Sequence, residues 1–371
     1  MNKTKITTFV GTRPEIIRLS EIIKALDESF DHRLVHTGQN PDPQLKDVFF
    51  EELGLRPPDN YFSGEHKTLG GFIAQLMVNT EIELTKNRPD GVVILGDTNS
   101  ALAAILARRL AIPVYHLEAG NRSFDANVPE EINRKLVDHI ADFNFPYSEL
   151  ARSNLLAEGL HPRNIFLLGS PLKEVLMKNR ERIQSSSILE TQRLKPGHYF
   201  MVSMHRQENV DSPERLGQLL MTLNVVAETY KLPVLVSVHP RTKRRLVKST
   251  LPMNPLVRFN QPFGFLDYIK LQMSARVVLS DSGTISEESS ILGFNAVTIR
   301  DSMERPEALE SGAVILSGIT PLQVLEAIRI TETFQRGASP SEYQFEEVSS
   351  RFIRVLTSTI HQHAFWNGIR L

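Results

Sequence analysis

The chain has 371 residues, with 42 Lys and Arg against 43 Asp and Glu, and it contains no cysteine. Its formal net charge of -1 gives no support for nucleic acid or an anionic membrane as an obligatory partner. The lack of cysteine excludes disulfides, thiolate-bound zinc, iron–sulfur clusters and thiol nucleophiles. The first apolar stretch is too short for a signal peptide, and no run approaches the roughly 18–20 apolar residues that span a bilayer. We therefore expect a cytoplasmic protein, and the length predicts two domains.

Strands and helices alternate through the first half of the chain. The β-rich run Lys5–Val10 ends at Gly11, and Pro14 then opens a series of apolar residues at helical spacing. The uninterrupted apolar run 92–95 is typical of a parallel strand that is covered on both faces. Two more strands are predicted over 113–117 and 164–168. This alternation indicates parallel α/β layers.

The alternation restarts after a polar, weakly patterned stretch at 178–197, close to the predicted crossover between domains. A strand is predicted over 199–204, and Ser212 with Pro213 predicts the cap and first turn of a helix that runs to about Tyr230. Further strands are predicted over 233–238, 276–280 and 296–299, and a last helix over 346–363. The fold class is therefore α/β, with two Rossmann-like doubly wound domains, 1–172 and 173–350, and a cleft between them.

Seven polar clusters follow predicted strands or open predicted helices. They are GTRPE (11–15), GDT (96–98), HLEAGNR (116–122), HRQEN (205–209), HPR (239–241), DSGTISEE (281–288) and RDSMERPE (300–307). Ligands of such folds bind at the carboxyl ends of the strands. We therefore expect these clusters to contribute to a shared site.

The cluster DSGTISEE has the features of an anion site. Ser282, Gly283 and Thr284 open a helix, where free backbone N–H groups and the helix dipole favour a phosphate. The same residues also fit a helix N-cap without any ligand. No GxGxxG motif follows the first strand and no GxxxxGKS motif occurs, which disfavours a dinucleotide cofactor and a P-loop nucleotide site.

Basic and acidic side chains of these clusters suggest complementary roles. The candidates for binding a diphosphate are Arg13, Arg18, His205, Arg241 and Arg305, although any one arginine could instead form a surface salt bridge. The carboxylates are Asp97, Glu118, Glu130 and Glu131, the last two at a helix start that favours acidic residues by itself. Several carboxylates opposite a phosphate-binding lobe suit proton removal and return at a carbon beside a leaving diphosphate. No spacing of histidines and carboxylates commits the chain to a metal.

Taken in order, these motifs resemble the non-hydrolysing UDP-N-acetylglucosamine 2-epimerase family, over nearly the whole chain. HTGQN (36–40), NRSFDANVPEEINRKLVDH (121–139) and the region 364–366 resemble the branch that converts UDP-2-acetamido-2,6-dideoxy-L-talose to UDP-N-acetyl-L-fucosamine, for capsule or O-antigen synthesis. The resemblance implies a fold like that of glycosyltransferase-B enzymes, a homodimer, and a C-terminal helix (351–371) that packs back on the first domain. It also implies an isomerase without metal or nicotinamide, which eliminates UDP to a 2-acetamidoglycal and adds it back.

The family's functional residues carry over onto matching positions of this sequence. The positions that match its UDP-binding set are Arg13, His205, Ser282, Gly283, Thr284, Glu288 and Arg305, and those that match its proton-transfer carboxylates are Asp97, Glu118 and Glu130. His205 is also predicted to act in catalysis. Arg18 and Thr284 depart from the Lys and Gly that are usual in epimerases specific for N-acetylglucosamine. The alternatives are epimerisation of UDP-N-acetylglucosamine to the manno sugar, a glycosyltransferase of the same architecture, and a sugar-nucleotide-binding protein without catalysis.

Overall fold

A computed structural model describes residues 3–40, 47–64, 68–238, 242, 245–246 and 251–369. The chain divides into two compact units: the first comprises Met1–Lys178 and Glu342–Leu371, and the second comprises Asn179–Ser341. Within the described residues, each unit contains one parallel sheet of six strands. The predicted α/β class with two doubly wound domains is confirmed. No helix in the described part of the chain is long and apolar enough to cross a membrane.

The first sheet has the strand order β3-β2-β1-β4-β5-β6. Its strands are β1 (Lys5–Val10), β2 (Asp31–His36), β3 (Asn60–Tyr61), β4 (Gly91–Leu95), β5 (Val114–Leu117) and β6 (Phe143–Phe145). The chain order reverses between β1 and β4, which pair in parallel. Ligands of open α/β sheets bind at the carboxyl ends of the strands beside such a reversal. The loops after β1, β4 and β5 therefore form the candidate edge of this unit.

Helices cover this sheet on its two faces. They are α1 (Arg13–Ser29), α2 (Asp47–Glu52), α3 (Leu69–Lys86), α4 (Ala103–Arg109), α5 (Glu130–Ile140), α6 (Glu149–Ala157) and α7 (Leu172–Lys178), with 3₁₀ turns at Asn99–Leu102 and Pro162–Asn164. All five residues of β4 are buried, as its continuous apolar run predicts. Helix α1 begins after Thr12, with Pro14 in its first turn, and buries Ile16, Leu19 and Ile23 against the sheet.

The second sheet repeats the same topology, with the order β12-β11-β10-β7-β8-β9. Its strands are β7 (Phe200–Ser203), β8 (Val234–Ser237), β9 (Val257–Asn260), β10 (Val277–Ser280), β11 (Ala296–Thr298) and β12 (Ile315–Leu316). Its helices are α8 (Arg180–Gln184), α9 (Ile188–Thr191), α10 (Gln207–Val210), α11 (Pro213–Tyr230), α12 (Phe265–Ser274), α13 (Ile285–Leu292), α14 (Pro306–Glu310) and α15 (Pro321–Thr333). The reversal lies between β7 and β10, where Ser203 pairs with Ser280. The Ser212 hydroxyl caps α11 by accepting the N–H of Arg215, as predicted.

The strand predicted over 164–168 is wrong. Pro162–Asn164 form a 3₁₀ turn, and Ile165 makes only an isolated bridge to Asn144. The predicted last helix also ends early: α16 (Val348–Thr359) stops before residue 363, and a short helix α17 (His363–Trp366) follows. The N–H groups of Phe166 and Leu168 donate to the carbonyls of Asn144 and Pro146 at 2.9 and 3.0 Å, so the segment runs beside β6 without forming a regular strand.

The boundary between the units differs from the predicted one. Helix α7 belongs to the first unit because Lys178 Nζ lies 2.7 Å from a carboxylate oxygen of Glu21 on α1. The chain re-enters this unit at Glu342, not at 351, and the backbone N–H of Ser349 donates to the Glu174 carboxylate at 2.9 Å. Helix α16 packs on α1 within the unit. These contacts move the predicted boundaries 172/173 and 350/351 to 178/179 and 341/342.

Candidate active site

Asp97 and Glu118 lie at the same edge of the first sheet. Asp97 follows β4 and Glu118 follows β5, two neighbouring strands whose last residues, Leu95 and Leu117, are paired. A Cβ atom at Gly96, which has φ +72°, would lie 4.0 Å from the Glu118 carboxylate. The Glu118 side chain therefore reaches the loop that carries Asp97. Sequence reasoning placed both carboxylates at strand ends, and the structure brings these two loops side by side.

Glu118 is held by a buried ion pair and by an unusual backbone conformation. The Arg18 Nη1 atom donates to the Glu118 Oε2 atom at 2.8 Å, and both side chains are buried. Glu118 has φ +63°, in the left-handed region that side chains other than glycine adopt at a cost of order 1–3 kcal/mol. Such strain persists only where the surrounding contacts fix it. The structure thus gives Arg18, predicted to bind UDP, a contact with a predicted catalytic carboxylate.

Asp97 is held by an arginine that the sequence analysis did not single out. Arg134 on α5 donates to Asp97 Oδ2 from Nε at 2.7 Å, and its Nη1 donates to Glu131 Oε2 at 2.8 Å. Glu131 also accepts the N–H and the hydroxyl of Ser123, each at 3.0 Å. Burial raises the pKa of Glu131, but the Ser123 N–H and Arg134 outweigh it, so this pKa lies below its usual value. Glu130, the predicted proton-transfer residue, is the more exposed of the two glutamates.

Glu15 is a further buried carboxyl at this edge, and it was part of the GTRPE motif without a role of its own. Its Oε2 atom accepts the N–H of Gly11 at 2.5 Å and that of Thr12 at 2.8 Å, and its Oε1 atom accepts the hydroxyl of Thr98. It therefore ties the loop after β1 to the loop after β4, which carries Asp97. Burial raises its pKa to about 7, although all of these hydrogen bonds act in the opposite direction.

We expect Glu15 to make the stability of the protein fall as pH rises from about 5 to 8. A carboxyl whose pKa rises on folding binds more protons in the folded than in the unfolded chain, so the free energy of unfolding decreases through that window. The shift from 4.5 to about 7 corresponds to about 3 kcal/mol. In Glu15→Gln, the amide oxygen can accept the Gly11 and Thr12 N–H groups and the amide nitrogen can face the Thr98 hydroxyl.

Urea unfolding of the wild type and Glu15→Gln at pH 5, 6, 7 and 8 measures this difference. The free energy of unfolding of the wild type should drop relative to that of the variant by about 3 kcal/mol over the series. Glu149→Gln, at the exposed first turn of α6, is the matched control and should give curves parallel to the wild type. Parallel curves for Glu15→Gln as well would contradict the prediction.

In the second unit, Asp281 organises the loop that carries His205. Asp281 directly follows β10 and is completely buried. Its carboxylate accepts the backbone N–H of His205 at 3.0 Å and that of Arg206 at 3.1 Å, and the Asn209 amide donates to it at 3.2 Å. The His205 Nδ1 atom lies 3.3 Å from Asp281 Oδ1, and the imidazole stays partly exposed. Burial raises the pKa of Asp281 although these hydrogen bonds lower it.

The segment Ser282-Gly283-Thr284 precedes α13, as predicted, and its glycine has a steric role. A Cβ atom at Gly283 would lie 2.2 Å from Glu304 Oε1. That carboxylate accepts from Arg206 Nη2 and Arg300 Nη1, each at 2.6 Å. The Ser282 and Thr284 hydroxyl oxygens are 3.0 Å apart. A larger residue at 283 would have to displace the Glu304 carboxylate, which occupies the space next to the Gly283 Cα atom, from its two arginine partners.

The other predicted UDP-binding residues have the following surroundings. Arg305 Nη1 lies 2.9 Å from Glu287 Oε2, and both side chains are buried. Glu288 Oε2 accepts the Gln272 amide at 2.6 Å. The Arg13 guanidinium lies 5.7 Å from the centre of the Phe49 ring. Arg241 lies outside the described residues.

The residues that sequence reasoning missed are partners of the predicted ones. Arg134 and Asp281 stand inside the quoted motifs PEEINR and DSGTISEE, but no signal in the sequence shows which carboxylate or histidine each one contacts. Within the described residues, no group of three or more histidines and carboxylates is arranged to hold a metal ion. The first unit carries carboxylates at strand ends, a residue type that can transfer protons. The second unit carries a partly exposed histidine and a glycine-containing turn before a helix, features that can bind an anion.

Comparison with known proteins gives the family. The UDP-N-acetylglucosamine 2-epimerase family model matches residues 24–357. The UDP-N-acetylglucosamine 2-epimerase of Methanocaldococcus jannaschii is 37% identical over 365 residues, which cover 95% of this chain and 99% of that protein. The UDP-2,3-diacetamido-2,3-dideoxy-D-glucuronate 2-epimerase of Pseudomonas aeruginosa is 34% identical over 330 residues, which cover 88% and 91%.

Solved structures agree with this assignment. The structure of UDP-N-acetylglucosamine 2-epimerase from Rickettsia bellii superposes with a TM-score of 0.91 at 40% identity and covers 98% of both chains. The M. jannaschii enzyme in complex with UDP-GlcNAc and UDP superposes with a TM-score of 0.90 at 36% identity, over 96% of this chain and 100% of that one. The chain therefore belongs to the UDP-N-acetylglucosamine 2-epimerase family and is a UDP-sugar 2-epimerase, an isomerase.

Proposed function

We propose that the enzyme inverts C2 of UDP-2-acetamido-2,6-dideoxy-L-talose to give UDP-N-acetyl-L-fucosamine, for the synthesis of capsule or O-antigen polysaccharide. The segments HTGQN (36–40) and NRSFDANVPEEINRKLVDH (121–139), which resemble that branch, support this substrate. Arg18, in place of the Lys that is usual in N-acetylglucosamine-specific enzymes, supports it as well. Relatives of similar identity are named for different UDP-sugars, so identity at this level does not fix the sugar.

The observation that carries the proposal is the pair of carboxylates at neighbouring strand ends. Asp97 and Glu118 are each held by a guanidinium, that of Arg134 and that of Arg18 respectively. Inversion at C2 requires one group that removes a proton from one face and a group that delivers a proton to the other face. Two fixed carboxylates can provide these roles, and Glu130 is a third candidate.

The proposed reaction begins with departure of UDP. The C2 proton of the sugar is not acidic, so the C1–O bond must break first or concertedly, and its electron pair leaves with the diphosphate. One carboxylate then takes the C2 proton, and the C2–H electron pair forms the C1–C2 double bond of a 2-acetamidoglycal. Return of a proton to the opposite face of C2 and of UDP to C1 completes the inversion. Positioned groups of this kind lower the barrier through orientation and electrostatic stabilisation.

We assign the leaving diphosphate to residues of the second unit. His205 can donate to a phosphate oxygen, because Asp281 fixes its backbone and lies beside Nδ1. Ser282, Gly283 and Thr284 precede a helix of eight residues, whose N-terminal N–H groups favour an anion. Arg13, Arg18, Arg241, Glu288 and Arg305 stay predicted binding residues of the UDP-sugar.

A second substrate has specific support. Two solved structures with TM-scores of 0.91 and 0.90 are named UDP-N-acetylglucosamine or UDP-GlcNAc 2-epimerases, and one of them is a complex with UDP-GlcNAc. UDP-N-acetylglucosamine, converted to UDP-N-acetylmannosamine, is therefore the alternative. The chemistry at C2 is the same, so the two proposals differ only in the sugar.

Proton NMR of the enzyme with each UDP-sugar in D2O tests the proposal. We expect the L-talo sugar to epimerise with deuterium incorporated at C2, while UDP-N-acetylglucosamine is unchanged. Turnover of UDP-N-acetylglucosamine alone would assign the enzyme to the mannosamine branch. If folded enzyme changed neither sugar and released UDP only with an acceptor, a glycosyltransferase would replace both proposals.

A homodimer stays a prediction from the family resemblance. Helices α3 and α5 both pack against the 3₁₀ turn Asn99–Leu102. Each of these helices carries two exposed apolar side chains that are four residues apart along the helix. These are Val78 and Ile82 on α3 and Ile132 and Leu136 on α5. A second copy of the chain is the partner that we propose for them. The cytoplasmic location likewise stays a prediction.

A further inference from the structure

His116 is buried in β5 and contacts the loop after β4 and helix α5. Its Nε2 atom donates to the carbonyl of Gly96, the residue before Asp97, at 2.8 Å. Its Nδ1 atom lies 3.0 Å from Asp138 Oδ1 on α5. Both ring nitrogens thus face oxygen acceptors, an arrangement that suits the doubly protonated imidazolium. Burial lowers the pKa of His116, but Asp138 outweighs it, so the pKa lies above its usual value.

Asp138 connects His116 to the loop that carries Glu118. Its carboxylate accepts the backbone N–H of Gly120 at 3.1 Å, two residues after Glu118. It also accepts the Arg122 Nη1 atom at 2.7 Å. The Arg122 guanidinium, fully buried, makes two further hydrogen bonds to the Glu158 carboxylate at 2.8 and 2.7 Å. The loop after β5 is therefore fastened to α5 and α6 through charged groups.

The loop needs such fastening because its backbone is strained. Glu118 has φ +63°, and Gly120 has φ +82°. A Cβ atom at Gly120 would lie 2.2 Å from the carbonyl oxygen of Ala151, so the loop lies directly against α6. The Asn154 amide donates to the Gly120 carbonyl at 2.9 Å. Loss of the Asp138 contact would remove the hydrogen bond that holds the Gly120 N–H in this conformation.

We propose that His116 is a positioning residue that, through Gly96 and Asp138, fixes the separation of the Asp97 and Glu118 carboxylates. The inference rests on the proposed function, because it assumes that these carboxylates transfer protons. The sequence analysis included His116 only as a member of the cluster HLEAGNR (116–122). His116 contacts no substrate in this assignment; it adds a side-chain connection to the backbone hydrogen bond that the Gly96 N–H donates to the Leu117 carbonyl at 2.9 Å.

The same domain contains a matched control for this pair. His363 Nε2 lies 2.9 Å from Asp142 Oδ1, and both side chains are buried. Asp142 Oδ2 accepts the N–H of Val114, the first residue of β5. This second histidine–aspartate pair therefore holds the amino end of the strand whose carboxyl end His116 fixes. Loss of either histidine–aspartate pair removes a similar buried contact. Of the two pairs, only His116–Asp138 lies beside the predicted catalytic loops.

The experiment compares His116→Asn with His363→Asn on whichever UDP-sugar the wild type converts. The shorter Asn side chain at 116 cannot reach the Gly96 carbonyl, and because it carries no charge it holds the Asp138 carboxylate less firmly against the Gly120 N–H. We expect kcat of His116→Asn to fall by about 10–100-fold, the scale of a misplacement of about 1 Å, with KM changed less than twofold. His363→Asn should keep kcat within twofold of the wild type. Equal losses in the two variants, or no loss in His116→Asn, would overturn the proposal.

Amide hydrogen exchange provides a readout that does not depend on activity. Exchange at Gly120 should be faster in His116→Asn than in the wild type, and unchanged in His363→Asn. If the wild type converted neither sugar, the proposed function would fail and this exchange result would still decide whether His116 holds the loop. If His116→Asn does not fold, Asp138→Asn against Asp142→Asn repeats both measurements. Unchanged kcat and unchanged Gly120 exchange in Asp138→Asn would then refute the positioning role.

Discussion

Asp97→Asn and Glu118→Gln should each lower kcat by about 10³-fold or more while UDP still binds. Both replacements keep the shape of the side chain and an oxygen that can accept from the partner arginine. In the structure those partners are Arg134 Nε at 2.7 Å from Asp97 and Arg18 Nη1 at 2.8 Å from Glu118. The changes therefore remove the carboxylates that are proposed to transfer protons, and we expect the fold and the second unit to be retained.

Isothermal titration measures UDP binding, and NMR in D2O measures turnover. Asp90→Asn is the matched control, because its carboxylate accepts the N–H of Lys5 at 2.8 Å next to the amino end of β4, away from the candidate edge. It should retain wild-type turnover. Full activity in both Asp97→Asn and Glu118→Gln would remove these carboxylates from the mechanism. Retained deuterium exchange without epimerisation in one of them would show that it serves one face of C2.

Asp281→Asn should reduce kcat/KM by about 100-fold and the free energy of unfolding by about 1–3 kcal/mol. The hydrogen bonds to this carboxylate come from donors: the N–H groups of His205 and Arg206 and the amide of Asn209. An Asn side chain would place its own NH2 group against one of these N–H groups in a completely buried position. The loop would shift, and His205 would lose the orientation on which its proposed contact with the departing diphosphate depends.

His205→Asn separates the two effects of that change. It should lower kcat/KM to a similar extent with little change in the unfolding free energy, because the His205 side chain is partly exposed. Asp267→Asn, on α12 of the same unit, is the control for a lost carboxylate, since Asp267 accepts only the Ser186 hydroxyl among the contacts described for it. Normal kcat/KM in a folded Asp281→Asn enzyme would mean that Asp281 has no role beyond stability.

The sequence predicts well those strands and helices whose own residue types reflect how deeply they are buried. Strand β4 was predicted because an uninterrupted apolar run is typical of a strand covered on both faces, and β1 because Lys5–Val10 is rich in residues that favour strands. Strand β2, with the sequence DHRLVH, was not predicted, since its first half consists of polar and charged residues. It is a strand because Asp31–His36 pairs residue by residue with Lys5–Val10. Pairing with a distant segment leaves no trace in the sequence of the strand itself.

The candidate site likewise contains residues that the sequence predicts and partners that it does not. The polar clusters after apolar runs were sufficient to place Asp97 and Glu118 at strand ends, because side chains that follow a buried parallel strand emerge at its carboxyl edge. Their partners were not predictable. Arg18 and Glu118 are 100 residues apart in the chain, and Arg134 and Asp97 are 37 apart. Only the strand order, with β1, β4 and β5 side by side, brings these charges within hydrogen-bonding distance.

The sequence by itself determined the α/β class, the two sets of alternating strands and helices, and the motifs that resemble the epimerase family. These features depend on residue type and on spacing along the chain. The tertiary structure decided which charges meet: Glu118 with Arg18, Asp97 with Arg134, His205 with Asp281, and His116 with both Gly96 and Asp138. Ion pairs and hydrogen bonds act over a few ångströms of space, so their partners are fixed by sheet order and loop conformation and not by distance in sequence.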